Sequence, residues 1–317
     1  MADSITNVVL KDSTLREGMD TPGVEFSTRA RMEIARLLES AGVIEAEVVA
    51  PSRVADDLVI ARTIKAQGIR LKTSGLIYAN RPEYQQEITE AAECLDRFDL
   101  IMPLSEQRQP AEFEDKCQGL VTALDRCSEM GISAGIGFPH ATQVDPGQLF
   151  EIAKRGAGRG ASRITVYDTN GSAEPFSVRV MIDQLVALIG VPVFFHGHND
   201  LGLAAANSWA AICGGASGLD VTINGLGDRA GNASLEQLVL LLHLQGIETG
   251  IEVSELRRAS ILVERLSGVA VSKLAPVVGD YIFDHRSPSH LGLPSEFEAF
   301  DPELVGRHRR TGGDSTH

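Results

Sequence analysis

The chain of 317 residues is 43% hydrophobic and 23% charged, with 31 glycines, 13 prolines and 5% aromatic residues, which excludes collagenous, disordered and disulfide-stapled classes. Its length fits either two ordinary domains or one large α/β barrel around a single core. With 29 Lys and Arg against 43 Asp and Glu, the formal charge is −14 and the pI about 5.0, a balance that argues against a nucleic-acid or anionic-membrane partner. Cys94, Cys117, Cys127 and Cys213 show no CxxC or metal-finger spacing and read as reduced, partly buried thiols. Met1–Thr6 carries no basic-then-apolar leader, and the apolar run around Val186–Phe195 is broken by Gly190 and Pro192, so a cytoplasmic protein is expected.

In chain order, short apolar or β-branched runs alternate with longer amphipathic stretches, the pattern of repeated βα units. The strand candidates are Thr6–Leu10, Ile44–Ala50, Arg70–Ile77, Arg97–Pro103, Ser133–Phe138, Arg163–Asp168, Pro192–His196 and Leu219–Asn224. Helix starts are marked by Ser27-Thr28 ahead of Ala30–Ser40 and by Asp145-Pro146 ahead of Gly147–Ala157, with Asp capping and Pro in the first turn. Gly42, Gly68, Gly131 and Gly190 stand where helices would end. Strict alternation predicts a closed (β/α)8 TIM barrel finishing near Gln245, with a doubly wound open sheet as the alternative. One further helix, Ser254–Leu266, precedes an irregular stretch with Pro276, Pro288, Pro294 and Pro302. The expected organisation is a catalytic barrel over 1–250, a C-terminal appendage over 251–309 and a disordered tail over 310–317.

In such a barrel, chemistry sits at the C-terminal ends of the strands. The first strand runs into Asp12-Ser13-Thr14-Leu15-Arg16-Glu17-Gly18, which crowds two carboxylates and a guanidinium into one loop. The bland alternative is a salt-bridge cluster flanking a helix. His196-Gly197-His198-Asn199-Asp200 puts two imidazoles on the same side of a strand end. That is half of a metal site, although paired histidines in loops more often only hydrogen-bond. A hard divalent cation needs a carboxylate beside its imidazoles, and an adjacent Arg can hold an anionic substrate or a developing oxyanion. The eighth strand leads into Asn224-Gly225-Leu226-Gly227-Asp228-Arg229-Ala230-Gly231-Asn232, whose glycine spacing is not that of a dinucleotide loop. It reads either as a tight turn or as a loop bringing an Asn side chain to a ligand. Gly156–Gly160 lies at a helix end before a strand, the wrong polarity for phosphate.

Together, the segments at 12–18, 196–200 and 224–232 resemble the metal-dependent TIM-barrel lyase and synthase superfamily, which includes isopropylmalate, homocitrate and citramalate synthases and hydroxymethylglutaryl-CoA lyase. Phe300–Arg307 is similar to the downstream segment of the homocitrate-synthase type, and the eighth-strand motif follows the synthases. The resemblance implies Glu17, His196 and His198 as ligands of a divalent cation (Mn, Mg, Zn or Co), with Asn232 as a further or second-sphere ligand. It implies Arg16 at the reacting carbonyl, Glu47 as a pocket acid and His290 as the catalytic His, often donated across a homodimer. Thr169, Asp20 and His140 fall at substrate-contacting positions, and Asp12, Asn199 and Asp200 support the site from behind. The implied reaction is a condensation of acetyl-CoA, as co-substrate, with a 2-oxo acid.

Three departures qualify that expectation. Met19-Asp20 stands where most synthases have Glu-Gln, Pro139-His140 replaces a pair of acids, and Phe297 stands where many members have Tyr. Gly135 lies near the position where homocitrate synthases carry an Arg, so a second acceptor carboxylate is disfavoured. A carbon–carbon lyase or aldolase acting on a 3-hydroxy-acyl-CoA or 4-hydroxy-2-oxo acid is the alternative, and a non-catalytic metabolite-binding paralogue a third.

Overall fold

In the computed structural model, which describes residues 5–50, 54–81, 83–104 and 110–308, the strands close into one parallel barrel. They are β1 (Val9–Asp12), β2 (Glu45–Val49), β3 (Lys72–Tyr78), β4 (Arg97–Ile101), β5 (Ser133–Phe138), β6 (Ile164–Asp168), β7 (Val193–Gly197) and β8 (Gly218–Val221). β8 pairs with β1, with Lys11 beside Asp220, and this closure makes the fold a (β/α)8 TIM barrel rather than a doubly wound sheet. The helices between and after the strands are α1 (Thr28–Ser40), α2 (Val54–Ala66), α3 (Tyr84–Ala92), α4 (Pro110–Glu129), α5 (Pro146–Gly158), α6 (Pro175–Leu188), α7 (Ala204–Cys213) and α8 (Leu235–Leu244). Beyond them lie α9 (Leu256–Ser267) and the short α10 (Pro288–Gly292) within the Pro-rich stretch. Among the described residues no helix is long and apolar enough to cross a membrane.

Local chemistry explains most boundaries. Ser27 accepts a hydrogen bond from the Ala30 amide and starts α1. Gly42, Gly68 and Gly131 adopt positive φ two residues past their helices. At Gly42 a Cβ would also collide with the Gly250 carbonyl. Gly190 is different: α6 finishes at Leu188 and the chain leaves through an extended Ile189, so this glycine caps nothing. Asp145 occupies the cap position of α5, but its side chain makes no capping hydrogen bond. Cys94, Cys117 and Cys127 are buried, whereas Cys213, at the end of α7, is exposed. The expected tail over 310–317 lies outside the described residues.

The first strand sits later than expected. Asn7 bridges to Glu248 outside the sheet, and the sheet begins at Val9 and includes Lys11 and Asp12. The eighth strand, by contrast, ends earlier than expected, at Val221, because Asn224 turns into a left-handed conformation within the 3-10 turn Ile223–Gly225.

The extension of β1 through Lys11 reflects a charged barrel interior. Lys11 is fully buried, with its Nζ 2.7 Å from Glu47 Oε2, 3.1 Å from Asp220 Oδ2 and 3.2 Å from Asp99 Oδ2. Asp99 also accepts two hydrogen bonds from the Arg163 guanidinium, which pairs with Glu45 at 2.8 Å and lies over the Phe194 ring. Burial opposes the charge on Lys11, yet Asp220, Glu47 and Asp99 raise its proton affinity well above an ordinary lysine's. Removing one partner from such a cluster strands the opposite charges in a low-dielectric interior. Lys11→Met should therefore lower unfolding free energy by about 3–5 kcal/mol. Urea denaturation will check this, and a loss within error of zero would show that the carboxylates are adequately served by Arg163 and Arg16.

Candidate metal centre and the barrel mouth

The pleat of β7 throws His196 and His198 to the same side at the barrel mouth, with their Nε2 atoms 3.3 Å apart. His196 directs Nδ1 to Asp220 Oδ2 at 3.0 Å, the neighbouring position on β8, and its Nε2 faces His198. Its other face stacks on Tyr167 of β6, with ring centroids 4.5 Å apart. Glu17 begins a 3-10 turn (Glu17–Asp20) and brings its carboxylate 4.0 Å from His196 Nε2 and 3.8 Å from His198 Nε2. One donor atom from each of Glu17, His196 and His198 lies within 4.8 Å of the others, and all three residues are buried.

The protonation states suit a cation. Burial, then the neighbouring His196, pushes His198 down to about 3, so its imidazole is neutral. Burial opposes ionisation of Glu17, but Arg16 and the two imidazoles hold its carboxyl below the usual range. His198 Nδ1 and both side-chain polar atoms of Asn232 are buried with no hydrogen-bond partner among the described residues. Asn232 bridges to His198 through the backbone. A Cβ on Gly227 would lie 2.8 Å from Asn232 Nδ2 and 3.3 Å from Glu17 Cγ, so Asn232 and Glu17 flank the same bare stretch of backbone.

Arg16 pairs with the Glu17 carboxylate and, through Nε, with Glu47 Oε1 at 2.5 Å. Glu47 also accepts from Ser13 Oγ and Lys11 Nζ. Burial works against its charge, yet Arg16 and Lys11 hold its carboxyl well below the ordinary range. Its place is beneath Arg16, with both oxygens engaged, rather than on the cavity wall. Asp12 accepts from the Thr14 amide and hydroxyl, and Thr14 in turn accepts from the Ile223 amide, which ties the first loop to the eighth.

A cavity of about 430 Å³ opens above these groups, lined by Arg16, Glu17, Asp20, His196 and His198 on one side, by Leu76, Tyr78, Ile101, Pro139 and Tyr167 on another, and by Thr169, Asp228 and Arg229 at the rim. Asp20 and Thr169 thus reach the mouth, as expected. His140 does not line it: its backbone is left-handed, its amide donates to Thr169 Oγ1 and its ring meets Gln143. Asn199 receives the Ala204 amide at the start of α7, and Asp200 holds the Arg229 guanidinium with both oxygens. His290 stacks on Phe297 at 3.9 Å on α10 and is not among the cavity residues. The sequence reading passed over Lys11, Asp99, Arg163, Asp220 and Tyr167. For Asp99, Arg163, Asp220 and Tyr167 the available signal was an ionisable or large aromatic residue inside a strand candidate; Lys11 lay just past the end of the first one.

Residues 7–263 match the family model described as HMGL-like. The chain is 32% identical over 315 residues to homocitrate synthase 1 of Nostoc sp., covering 96% of this chain and 83% of that protein. It is 32% identical over 309 residues to 2-isopropylmalate synthase of Methanocaldococcus jannaschii, covering 96% and 60%. The chain spans about three fifths of the length of the first curated relatives it matches. An HMG-CoA lyase of Acinetobacter baumannii, solved with coenzyme A and 3-methylmalate, shares the fold with a TM-score of 0.74 at 21% identity, over 91% of this chain and 100% of that one.

Asp12 offers a pH test of the loop anchor. Burial pushes its carboxyl up to about 7, so the folded state takes the proton more readily than the unfolded one. The associated stability is fully present near pH 4 and is lost as the pH rises through about 7. Asp12→Asn mimics the protonated acid and should remove that loss. Melting temperatures from pH 5 to 9 should show the wild type falling relative to the variant between pH 5 and about 7 and running level with it above that; parallel curves across the whole range would refute the assignment.

Proposed function

Since the chain belongs to the HMGL-like family, we propose that it is a divalent-metal-dependent acyltransferase that condenses acetyl-CoA, or another acyl-CoA, with a 2-oxo acid to give a 2-hydroxy-2-alkyl dicarboxylic acid and CoA. The observation that carries this reading is the convergence of Glu17, His196, His198 and the unpartnered Asn232 amide beside a clamped guanidinium at the barrel mouth. These donors fit a cation: two imidazoles, that of His198 neutral, one ionised carboxylate, and buried polar atoms that otherwise lack partners.

A divalent cation held by Glu17, His196, His198 and Asn232 supplies Lewis acidity toward the acceptor carbonyl. Asp220 fixes the tautomer and ring plane of His196. Arg16, held at Nε by Glu47, keeps its guanidinium at the cavity wall, where it stabilises the alkoxide that forms when the enolate carbon of the acyl-CoA adds to the carbonyl. Thr169 and Asp20 contact the acceptor at the rim. The proton leaves the acyl methyl to His290, which we place at the mouth of a second copy in a homodimer, and hydrolysis of the thioester releases CoA.

The test is CoA release by the metal-supplemented protein with acetyl-CoA and a panel of 2-oxo acids. Arg16→Gln should lower kcat by about 10²–10³-fold. His196→Ala with His198→Ala should abolish stoichiometric metal by elemental analysis. Silence across the panel with a fully metallated protein would sink the condensation, and cleavage of a 3-hydroxy-acyl-CoA or 4-hydroxy-2-oxo acid would replace it with the lyase.

A further inference from the structure

The mouth cavity is divided. Arg16, Glu17, Asp20, His196 and His198 make one wall, while Leu76, Ile101 and Tyr167 form an apolar cluster of their own, apart from the main core, with Tyr78 packed against it. Tyr167 stands at the junction, stacked on His196 and only 6% exposed, and its hydroxyl has no hydrogen-bond partner among the described residues. The ring fits because β5 has no side chain at Gly137: a Cβ there would lie 2.6 Å from Ile101 Cδ1 and 2.8 Å from Tyr167 Cε2. Besides Arg16, the Arg229 guanidinium lines the cavity but is held by both oxygens of Asp200, and two others do not line it. Arg163 is buried against Asp99 and Glu45, and Arg81 lies over the Tyr78 ring.

Resting on the reading that this mouth receives a 2-oxo acid, we propose that Tyr167, seated on Gly137, is the specificity-determining residue of the acceptor subsite, selecting monocarboxylic 2-oxo acids with a short apolar side chain. An acceptor whose carboxylate and oxo oxygens face the charged wall directs its side chain onto Leu76, Ile101 and the Tyr167 ring. A methyl or ethyl group gains burial there, whereas a second carboxylate is desolvated against an apolar wall. The Tyr167 hydroxyl, at the boundary, donates to an acceptor oxygen and so gains the partner it lacks.

Calorimetric titration of the metal-supplemented protein with pyruvate, 2-oxobutanoate, 3-methyl-2-oxobutanoate and 2-oxoglutarate tests the assignment without turnover. The best monocarboxylic acid should bind at least about 10-fold more tightly than 2-oxoglutarate. Tyr167→Phe should weaken the monocarboxylic acids about 3- to 10-fold with their order retained. Tyr167→Ala should shift preference toward the branched acid by about 10-fold or more relative to pyruvate. Equal or tighter binding of 2-oxoglutarate, uniform weakening of every acid in both variants, or binding of none of the acids would overturn the proposal. CoA release measured in parallel judges the condensation separately: selective binding without release refutes the condensation and leaves the subsite standing.

Discussion

Lys11 is the group on which the interior depends. Three carboxylates from three different strands, Glu47, Asp99 and Asp220, converge on one buried ammonium, and Arg163 extends the cluster to Glu45. A TIM-barrel interior is more usually filled with branched apolar side chains. Here the interior is ionic, and its stability requires that every charge keep its partner, because an unpaired ion at this depth is far costlier than an unfilled methyl site. The cluster also fixes relative strand positions. Lys11 and Asp220 are neighbours in the closing β1–β8 register, so the salt bridge and the backbone ladder demand the same alignment.

That cluster has two outward arms. Through Asp220 it reaches Nδ1 of His196, and through Glu47 it reaches Nε of Arg16. The imidazole and the guanidinium are therefore oriented from one hub, although they sit on β7 and on the loop after β1. Pre-organisation of this kind matters where charge develops during reaction, since groups already in place need no reorganisation when the transition state forms. The direction of support is also informative about Glu47. An acid engaged on both oxygens by two cations and a hydroxyl positions Arg16, and it is not among the residues that line the cavity.

Much of this was legible in the sequence. The βα alternation, the Ser27 start and the glycines at 42, 68 and 131 follow from local rules, and the Asp12–Gly18, His196–Asp200 and Asn224–Asn232 segments announce themselves by crowding polar groups at strand ends. What was not legible depends on closure. Asp99 and Asp220 look out of place in a strand until the sheet curls and turns one face into a shared interior where opposite charges meet. The late start of β1 has the same origin, because composition alone assigns Lys11 and Asp12 to a loop. His290 shows the opposite limit: similarity to a motif supplies a role, but its stacking on Phe297 within this chain is a matter of local packing.

The glycines of β5 show how an absent side chain can be read two ways. Gly135 stands where an arginine would be wanted for a second acceptor carboxylate, and the inference from its absence was a pocket without a guanidinium. A guanidinium is nevertheless present: a Cβ at Gly135 would lie 2.7 Å from Arg163 Cγ, so the glycine makes room for the arginine that immediately precedes β6. That arginine is spent on Asp99 and Glu45 and is fully buried, so the cavity still receives no charge from it. Two residues on, Gly137 yields its space to Tyr167 in the same manner. β5 thus contributes backbone and vacancy, while its neighbour β6 and the residue just before it contribute the groups that fill them, one ionic and turned to the core, the other aromatic and turned to the mouth. At this part of the cavity wall the side chain comes from Tyr167 of β6, at a position β5 leaves open, which is why a motif comparison confined to β5 registers only a loss.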